Sequence, residues 1–326
     1  MKKQQTIDFH AHILQNDIFN LGVDKNVLTG FGMTEFNPEP GTDAYRKMQL
    51  CLLPELQVEE MNRRKIDKHV ISSSTVMQGT QWADPETEAG LCRLMNDWTY
   101  THWVQAYPDR FIGSMILPFQ DLSLALAELE RCVTEYGFKV VNTPARVKDK
   151  YLSDPAFDDF WRIVNDQKLV AFIHPHGVDD LWYQKYSLWN SIGQPIEEVK
   201  IISSLIYEGT LDKFPEAKIV ISHGGGYLPL YMGRLDRNAT DKPWTTVNIE
   251  GIPSDYIRRM KYDICVYDPL ALERLLEFLG PDCLLLGSDF PFGDNSPYHL
   301  LDQMKGVPRK DRDKIIGKNA QMLLNL

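Results

Sequence analysis

Two histidines one residue apart, His10 and His12, end a short apolar run near the start of the chain. In a β-strand alternate side chains lie on the same face, so both imidazoles are expected to point the same way. Two imidazoles on one face can bind one metal ion, with Zn–N distances of about 2.0–2.1 Å. A His-x-His pair also occurs without a metal, so its meaning depends on the rest of the chain.

Three more polar residues, His174, His223 and Asp289, end apolar segments that are predicted as strands. Histidines that only fill a core would not fall at strand ends every time. Three imidazoles and a carboxylate that leave one coordination position open are typical of a catalytic zinc-type site. The five residues therefore predict a metal centre with one group free for proton transfer. Position alone leaves open whether His174 or His223 is that group.

The elements that position these residues alternate between apolar strands and amphipathic helices. Strands that are apolar along their whole length are typical of a parallel sheet buried on both faces. About eight strand–helix units without an internal linker predict one α/β domain over 1–326, a (β/α)8 TIM barrel. Residues 14–57, rich in Gly, Pro, Asn and Thr, are predicted to form an irregular N-terminal lid insertion.

The main alternative fold is a doubly wound open sheet. That fold requires a glycine-rich turn after the first strand, whereas the turn here is His10-Ala11-His12-Ile13. The barrel is therefore favoured. It also places the candidate residues at the carboxyl ends of its strands, where barrel enzymes build their active sites.

Composition excludes several classes of partner. A net charge of −10 and a pI near 5.3 argue against binding nucleic acid or an anionic membrane surface. No apolar run approaches the roughly 18 residues of a membrane span, and the N-terminus lacks the apolar core of a signal peptide. The five cysteines are odd in number and show no Cys-x-x-Cys spacing, which predicts reduced thiols in a cytoplasmic protein.

Four segments together resemble a known family: Asp8-Phe9-His10-Ala11-His12, His174-Pro175, the stretch from His223 to Arg234, and Gly287-Ser288-Asp289-Phe290-Pro291-Phe292. The chain resembles the metal-dependent amidohydrolase superfamily, and within it the aminocarboxymuconate-semialdehyde decarboxylase-like branch. The resemblance extends from residue 6 to residue 322, which is nearly the whole chain.

The resemblance implies one divalent metal ion, Zn2+ with Mn2+ as the alternative, and names its ligands as His10, His12, His174 and Asp289. It implies His223 as the acid/base beside a metal-bound water, and Asp289 can also carry a proton. The fourth strand ends in Asn142, with no lysine or glutamate to bridge two ions, so a mononuclear site is expected.

The resemblance also implies how a small anionic acid is bound. Arg234 would meet the substrate carboxylate across a homodimer interface, and Arg46 in the lid would be a second anion-binding group. The tryptophan usual in the branch after His-Pro is replaced by His176, which is a metal ligand, a substrate contact or part of the turn. Trp189 and Phe292 lie on the catalytic face and are expected to line an aromatic or conjugated substrate.

The predicted function is metal-dependent, non-oxidative decarboxylation of a small unsaturated or aromatic carboxylic acid. Decarboxylation leaves electron density on carbon, so it requires an electron sink, a proton source and an oriented carboxylate. The same groups would serve a hydrolase or hydratase, which is the alternative within enzymes. A catalytically silent barrel that acts as a scaffold is the alternative from another class.

Overall fold

The computed structural model describes residues 4–24, 38–73, 75–78, 80, 82–176, 180–293, 298, 301–302 and 306–326. Eight parallel strands form one sheet whose spatial order follows the chain. The strands are β1 Ile7–Ile13, β2 Lys68–Ser73, β3 Phe111–Met115, β4 Val140–Thr143, β5 Val170–Ile173, β6 Lys218–Ile221, β7 Lys261–Asp263 and β8 Leu284–Leu285. The predicted (β/α)8 barrel is confirmed.

The barrel closes between its first and last strands. The Phe9 amide donates to the carbonyl of Leu286 at 2.8 Å, and the Phe290 amide donates to the carbonyl of His10 at 3.1 Å. The His12 amide in turn donates to the carbonyl of Phe290 at 2.6 Å. These hydrogen bonds join β1 directly to the segment that carries Asp289, so the two ends of the sequence meet at one rim.

Helices follow the strands and bury them from outside. They are α1 Asn16–Asp24, α2 Asp43–Leu52, α3 Pro54–Arg64, α4 Pro85–Trp98, α5 Leu122–Tyr136, α6 Asp158–Asp166, α7 Gln194–Tyr207, α8 Thr210–Lys213, α9 Leu228–Asp241, α10 Pro253–Arg259, α11 Pro269–Leu279, α12 Arg309–Asp313 and α13 Asn319–Leu324. π-Helical segments continue α4 over Thr99–Val104, precede α7 over Trp189–Gly193 and join α12 to α13 over Lys314–Lys318. No described helix is both long and apolar enough to cross a bilayer.

Two apolar clusters form the core. The larger lies between the sheet and the helices. The smaller contains Ile7, Phe9, Val140, Phe172 and Leu285, which come from different strands and can all meet only inside the barrel. Residues of α13 close its lower end.

The face that β1 presents to the interior changes along the strand. Ile7 and Phe9 belong to the inner cluster, but Ala11 and Ile13 belong to the outer one. The pairing of β1 with β2 is irregular between Asp8 and Ala11. Such an irregularity shifts the alternation of side chains by one position, as bulges near active sites do. It therefore brings His10 and His12 to the inner face, next to the inner cluster.

The predicted irregular structure of 14–57 is wrong for the described part of that segment. It contains α1, α2 and the start of α3, and residues 25–37 lie outside the described ranges. The hydroxyl of Thr42 accepts a hydrogen bond from the Tyr45 amide at 3.2 Å and so caps α2. Capping offsets the unfavourable composition of this stretch for helix formation.

A substitution at Gly317 tests how the π-helical segment Lys314–Lys318 packs against the start of the chain. A Cβ atom there would overlap the backbone oxygen of Gln5, so Gly317→Ala should lower the free energy of unfolding by about 1–3 kcal/mol. Gly90, on the exposed side of α4, is the matched control, because a Cβ atom added there would have no heavy atom within 4 Å. Gly90→Ala should raise the free energy of unfolding by about 0.5–1 kcal/mol. Equal effects in urea unfolding would contradict the packing described here.

Candidate active site

Five side chains meet at the carboxyl rim of the barrel. The Nε2 atom of His12 lies 3.1 Å from Nε2 of His10 and 2.9 Å from Oδ1 of Asp289. His10, His174, His223 and Asp289 each offer a ligand atom, and these atoms all lie within 4.8 Å of one another. Ligands bonded to one tetrahedral zinc ion are roughly 3.3 Å apart, so the spacing suits a single divalent ion.

Two of the imidazoles are oriented through their Nδ1 atoms. Nδ1 of His10 lies 2.7 Å from Oδ2 of Asp263, which is fully buried at the end of β7. Nδ1 of His174 lies 3.0 Å from the carbonyl oxygen of Pro175. Because these oxygens only accept, each Nδ1 must donate, and each Nε2 is left as a lone-pair donor for a metal ion.

His223 is oriented in the same way by a helix. Its Nδ1 lies 2.6 Å from Oε1 of Glu198, a fully buried residue of α7, and the same oxygen accepts from the hydroxyl of Ser222 at 2.7 Å. His12 differs, because its buried Nδ1 has no hydrogen-bond partner among the described residues. Its Nε2 is the atom that approaches His10 and Asp289.

The electrostatics favour the protonation states that metal ligands need. Burial lowers the pKa of His10, and burial together with neighbouring imidazoles lowers that of His174 well below its usual value. Burial opposes ionisation of Asp289, but its hydrogen bond with His12 and the nearby imidazoles lower its pKa to about 2. Neutral imidazoles and an ionised carboxylate are the forms that bind a divalent cation.

The pKa of His223 is shifted in the opposite direction. Burial alone would lower its pKa, but the Glu198 carboxylate and its hydrogen bond raise that pKa to about 9. His223 therefore has the charge state of a proton donor, whereas His10 and His174 have that of ligands.

Close backbone approach positions His223. Both His223 and Asp289 adopt left-handed backbone conformations, with φ of 48° and 54°, which are uncommon for such residues. Gly226 has a φ of 64°, and a Cβ atom there would lie 2.5 Å from the backbone oxygen of Pro195. The glycine run after His223 therefore allows the segment after β6 to approach α7 closely.

A cavity of about 350 Å³ opens beside this cluster. Its lining is Asn190, Ser191, Gln194, Pro195, His223, Gly226, Leu230, Cys265, Val266, Tyr267, Ala271, Leu275 and Asp289. No arginine or lysine is among these described lining residues. The lining is mixed apolar and neutral polar, which suits a small organic molecule.

The candidate substrate residues lie at different distances from the cluster. The ring centroid of Phe292 is 5.6 Å from that of His12. Trp189 begins the π-helical segment whose next two residues line the cavity, and His176 is half-buried two residues after His174. Arg46 is exposed on α2 and pairs with Glu60 of α3, outside the cavity lining.

Arg234 is exposed on α9 and does not line the cavity of its own chain. The aromatic residues Trp182 and Tyr186, which precede Trp189 on the same loop, are 58% and 91% exposed.

Sequence reasoning missed the two buried acids that orient the histidines. An acid inside the apolar strand around Asp263 was a usable signal, because a buried carboxylate requires a partner. Glu198 gave no signal, because a glutamate on a helix usually faces solvent. The neutral cavity residues Asn190, Gln194 and Tyr267 were likewise not separable from ordinary surface residues.

A barrel with imidazoles and a carboxylate converging at its carboxyl rim defines the class of metal-dependent barrel enzymes. The amidohydrolase family profile matches residues 7–326, and the chain belongs to this family. The chain is 31% identical over 281 residues to 2-amino-3-carboxymuconate-6-semialdehyde decarboxylase of Dictyostelium discoideum, covering 85% of this chain and 77% of that protein.

Two further comparisons also match decarboxylases. Gamma-resorcylate decarboxylase of Polaromonas sp. strain JS666 is 29% identical, covering 83% of this chain and 88% of that protein. The crystal structure of dihydroxybenzoic acid decarboxylase from Polaromonas sp. JS666 superposes with a TM-score of 0.84 at 25% identity, covering 99% of this chain and 98% of that one. That structure contains manganese and the inhibitor 2-nitroresorcinol.

The carboxylate behind His10 is expected to support metal binding. Asp263→Asn keeps the shape but weakens the acceptor, so affinity for a divalent ion should fall by about 10–100-fold. Competition with a chromogenic chelator measures this affinity. Asp212→Asn is the control. Asp212 precedes β6 in the chain and so lies at the opposite end of the barrel, where its carboxylate binds Arg259. Unchanged metal affinity in Asp263→Asn would show that the hydrogen bond between Asp263 and His10 does not contribute to metal binding.

Proposed function

We propose that this chain is a metal-dependent, non-oxidative decarboxylase of a small unsaturated or aromatic carboxylic acid. The observation that carries the proposal is that His223 and Asp289 both line the cavity beside the histidine cluster. The relatives described above are named as decarboxylases, which favours carbon–carbon lysis over the hydrolase or hydratase alternative. A silent scaffold would not need this buried, oriented set of ligand groups.

One divalent ion would be held by four residues, His10, His12, His174 and Asp289. When bound, it supplies a Lewis acid that polarises a substrate oxygen next to the reacting carbon. The nitrogen-rich donor set suits Zn2+. Mn2+ is the alternative, since the Polaromonas relative contains manganese. Elemental analysis of the purified protein distinguishes them.

His223 is the proposed proton donor. It transfers a proton to the carbon that bears the leaving carboxylate, a C–H bond forms, the C–C bond breaks and carbon dioxide leaves. The C–H bond uses an electron pair of the substrate's double bond, and the pair of the broken C–C bond stays with the substrate and restores that double bond. Asp289, whose Oδ2 lies 3.4 Å from the hydroxyl of Tyr267 at the cavity wall, is the second proton carrier.

The remaining candidate residues would bind the acid. Phe292 and Trp189 would flank an aromatic or conjugated substrate, and His176 would contact it from beyond β5. Residues 14–57 would act as a lid, with Arg46 as an anion-binding group that exchanges Glu60 for the substrate. The five cysteines are free and buried, which agrees with the proposed cytoplasmic location.

A homodimer would supply the positively charged side chain that the described cavity lining lacks. The described cavity lining contains no arginine or lysine, although a carboxylate substrate is best held by a guanidinium. Arg234 is exposed on α9, and Tyr231 on the same helix is 59% exposed. We propose that Arg234 of one subunit meets the substrate in the site of the other.

Replacing His223 tests the reaction. In His223→Gln the metal ligands stay, so metal content should be retained while kcat for carbon dioxide release falls by about 10²–10⁴-fold. A panel of hydroxybenzoic and muconate-type acids, followed by mass spectrometry, separates loss of carbon dioxide from gain of water. His102→Gln, at an exposed position, is the control. Wild-type turnover by His223→Gln would remove His223 from the mechanism, and gain of water would favour the hydratase.

Mixing two inactive variants tests the placement of Arg234. Arg234→Ala and His223→Gln should each be inactive, but a hybrid dimer has one site with both native residues if Arg234 acts across the interface. Random exchange of subunits would then restore about one quarter of wild-type activity. No restoration, with exchange verified by native mass spectrometry, would place Arg234 in its own subunit or outside the site.

A further inference from the structure

The buried carboxylate of Glu198 contacts His223 at Nδ1, and its effect on proton transfer has not yet been assigned. Glu198 is fully buried on α7, and its Oε1 accepts hydrogen bonds from Nδ1 of His223 at 2.6 Å and from the hydroxyl of Ser222 at 2.7 Å. Its Oε2 is buried with no hydrogen-bond partner among the described residues. Burying a carboxylate with one oxygen unsatisfied costs stability, so its retention calls for a reason.

Holding the helix in place does not supply that reason, because the neighbouring residue already does so. Glu197 is also buried, and its carboxylate binds Arg146 at 3.0 Å and Lys200 at 3.0 Å. Arg146 lies in the hairpin formed by Arg146–Val147 and Lys150–Tyr151, so this ion pair ties α7 to the segment after β4. Glu198 instead points to the barrel rim and contacts His223.

The contact fixes which nitrogen of His223 faces the reaction. Because a carboxylate only accepts, Nδ1 must carry the hydrogen, and Nε2 is the atom left to exchange a proton on the other side of the ring. The ring is confined further by its neighbours, since its centroid lies 5.2 Å from that of His10 and 5.1 Å from that of His174. A ring with an unoccupied Nδ1 could turn or change tautomer within this cluster.

We propose that Glu198 is a positioning residue for proton transfer: it anchors Nδ1 of His223 from α7 and so directs Nε2 to the substrate cavity. The inference rests on the proposed role of His223 in decarboxylation. The orientation of the proton donor would then depend on a residue of a helix and not on a residue of a barrel strand.

Kinetics of matched variants test the proposal. Glu198→Gln keeps an acceptor without charge and should lower kcat by about tenfold or more, because charge-assisted bonds are roughly twice as strong as neutral ones. Glu198→Leu removes the acceptor and should lower kcat by about 10²-fold or more, with KM and metal content unchanged. Glu197→Gln, one residue away and equally buried, should keep kcat within about twofold of wild type. Equal kcat losses in Glu197→Gln and Glu198→Gln would overturn the proposal, as would loss of metal from Glu198→Gln.

A double variant separates positioning from a general structural effect. If Glu198 acts only through His223, adding Glu198→Leu to His223→Gln should cause no further loss of kcat. Additive losses would show that Glu198 acts by another route.

A spectroscopic measurement works even if no substrate is found, and so distinguishes failure of this inference from failure of the proposed function. In metal-loaded protein labelled with 15N-histidine, the Nδ1 proton of His223 should give a downfield, slowly exchanging signal, assigned by its disappearance in His223→Gln. The signal should move upfield in Glu198→Gln and stay unchanged in Glu197→Gln. A wild-type protein without this signal would overturn the proposal, whether or not the Glu198 variants fold.

Discussion

The site depends on how the Nδ1 atoms of three of its histidines, His10, His174 and His223, are held. An imidazole can turn or change tautomer unless its remote nitrogen is held, and here Nδ1 of His10 and of His223 is held by a buried carboxylate. Asp263 ends a barrel strand and Glu198 lies on a helix, so the two anchors belong to different layers of the fold. Burial makes each hydrogen bond costly to break, because a released carboxylate would be left without water. The orientation of the Nε2 atoms is therefore a property of the packed core and not of the rim alone.

The topology of the barrel explains why such distant parts of the sequence converge. Parallel strands end at one rim, and closure between β1 and the segment after β8 brings His12 and Asp289 to 2.9 Å. The irregular pairing of β1 then turns His10 and His12 inward, although Ile7 and Phe9 already occupy the inner face. A regular strand would have pointed both imidazoles towards the helices. The metal-type cluster thus needs both closure of the sheet and a local departure from regular pairing.

The sequence predicts the barrel because its pattern repeats: apolar strands and amphipathic helices alternate along the whole chain. It places His174, His223 and Asp289 near strand ends, and they lie just beyond β5, β6 and β8. His10 and His12 were expected at a strand end but lie within β1. The irregular pairing of β1, helices α1 and α2 and the role of Glu198 were not predicted, because each depends on a tertiary contact or a single cap that produces no periodic sequence pattern.

Charge supports the proposal that the cation for a carboxylate substrate comes from outside the described cavity. Three carboxylates bind imidazoles of the cluster, those of Asp263, Glu198 and Asp289. A divalent cation and a protonated His223 would balance them, so the cluster would be close to neutral before an acid enters. The substrate then brings an extra negative charge into a chain of net charge −10, against walls without arginine or lysine among the described lining residues. In the dimer proposed above, a guanidinium such as that of Arg234 from a second subunit would restore the balance without placing a permanent cation beside the residues proposed to hold the metal, where it would repel the ion.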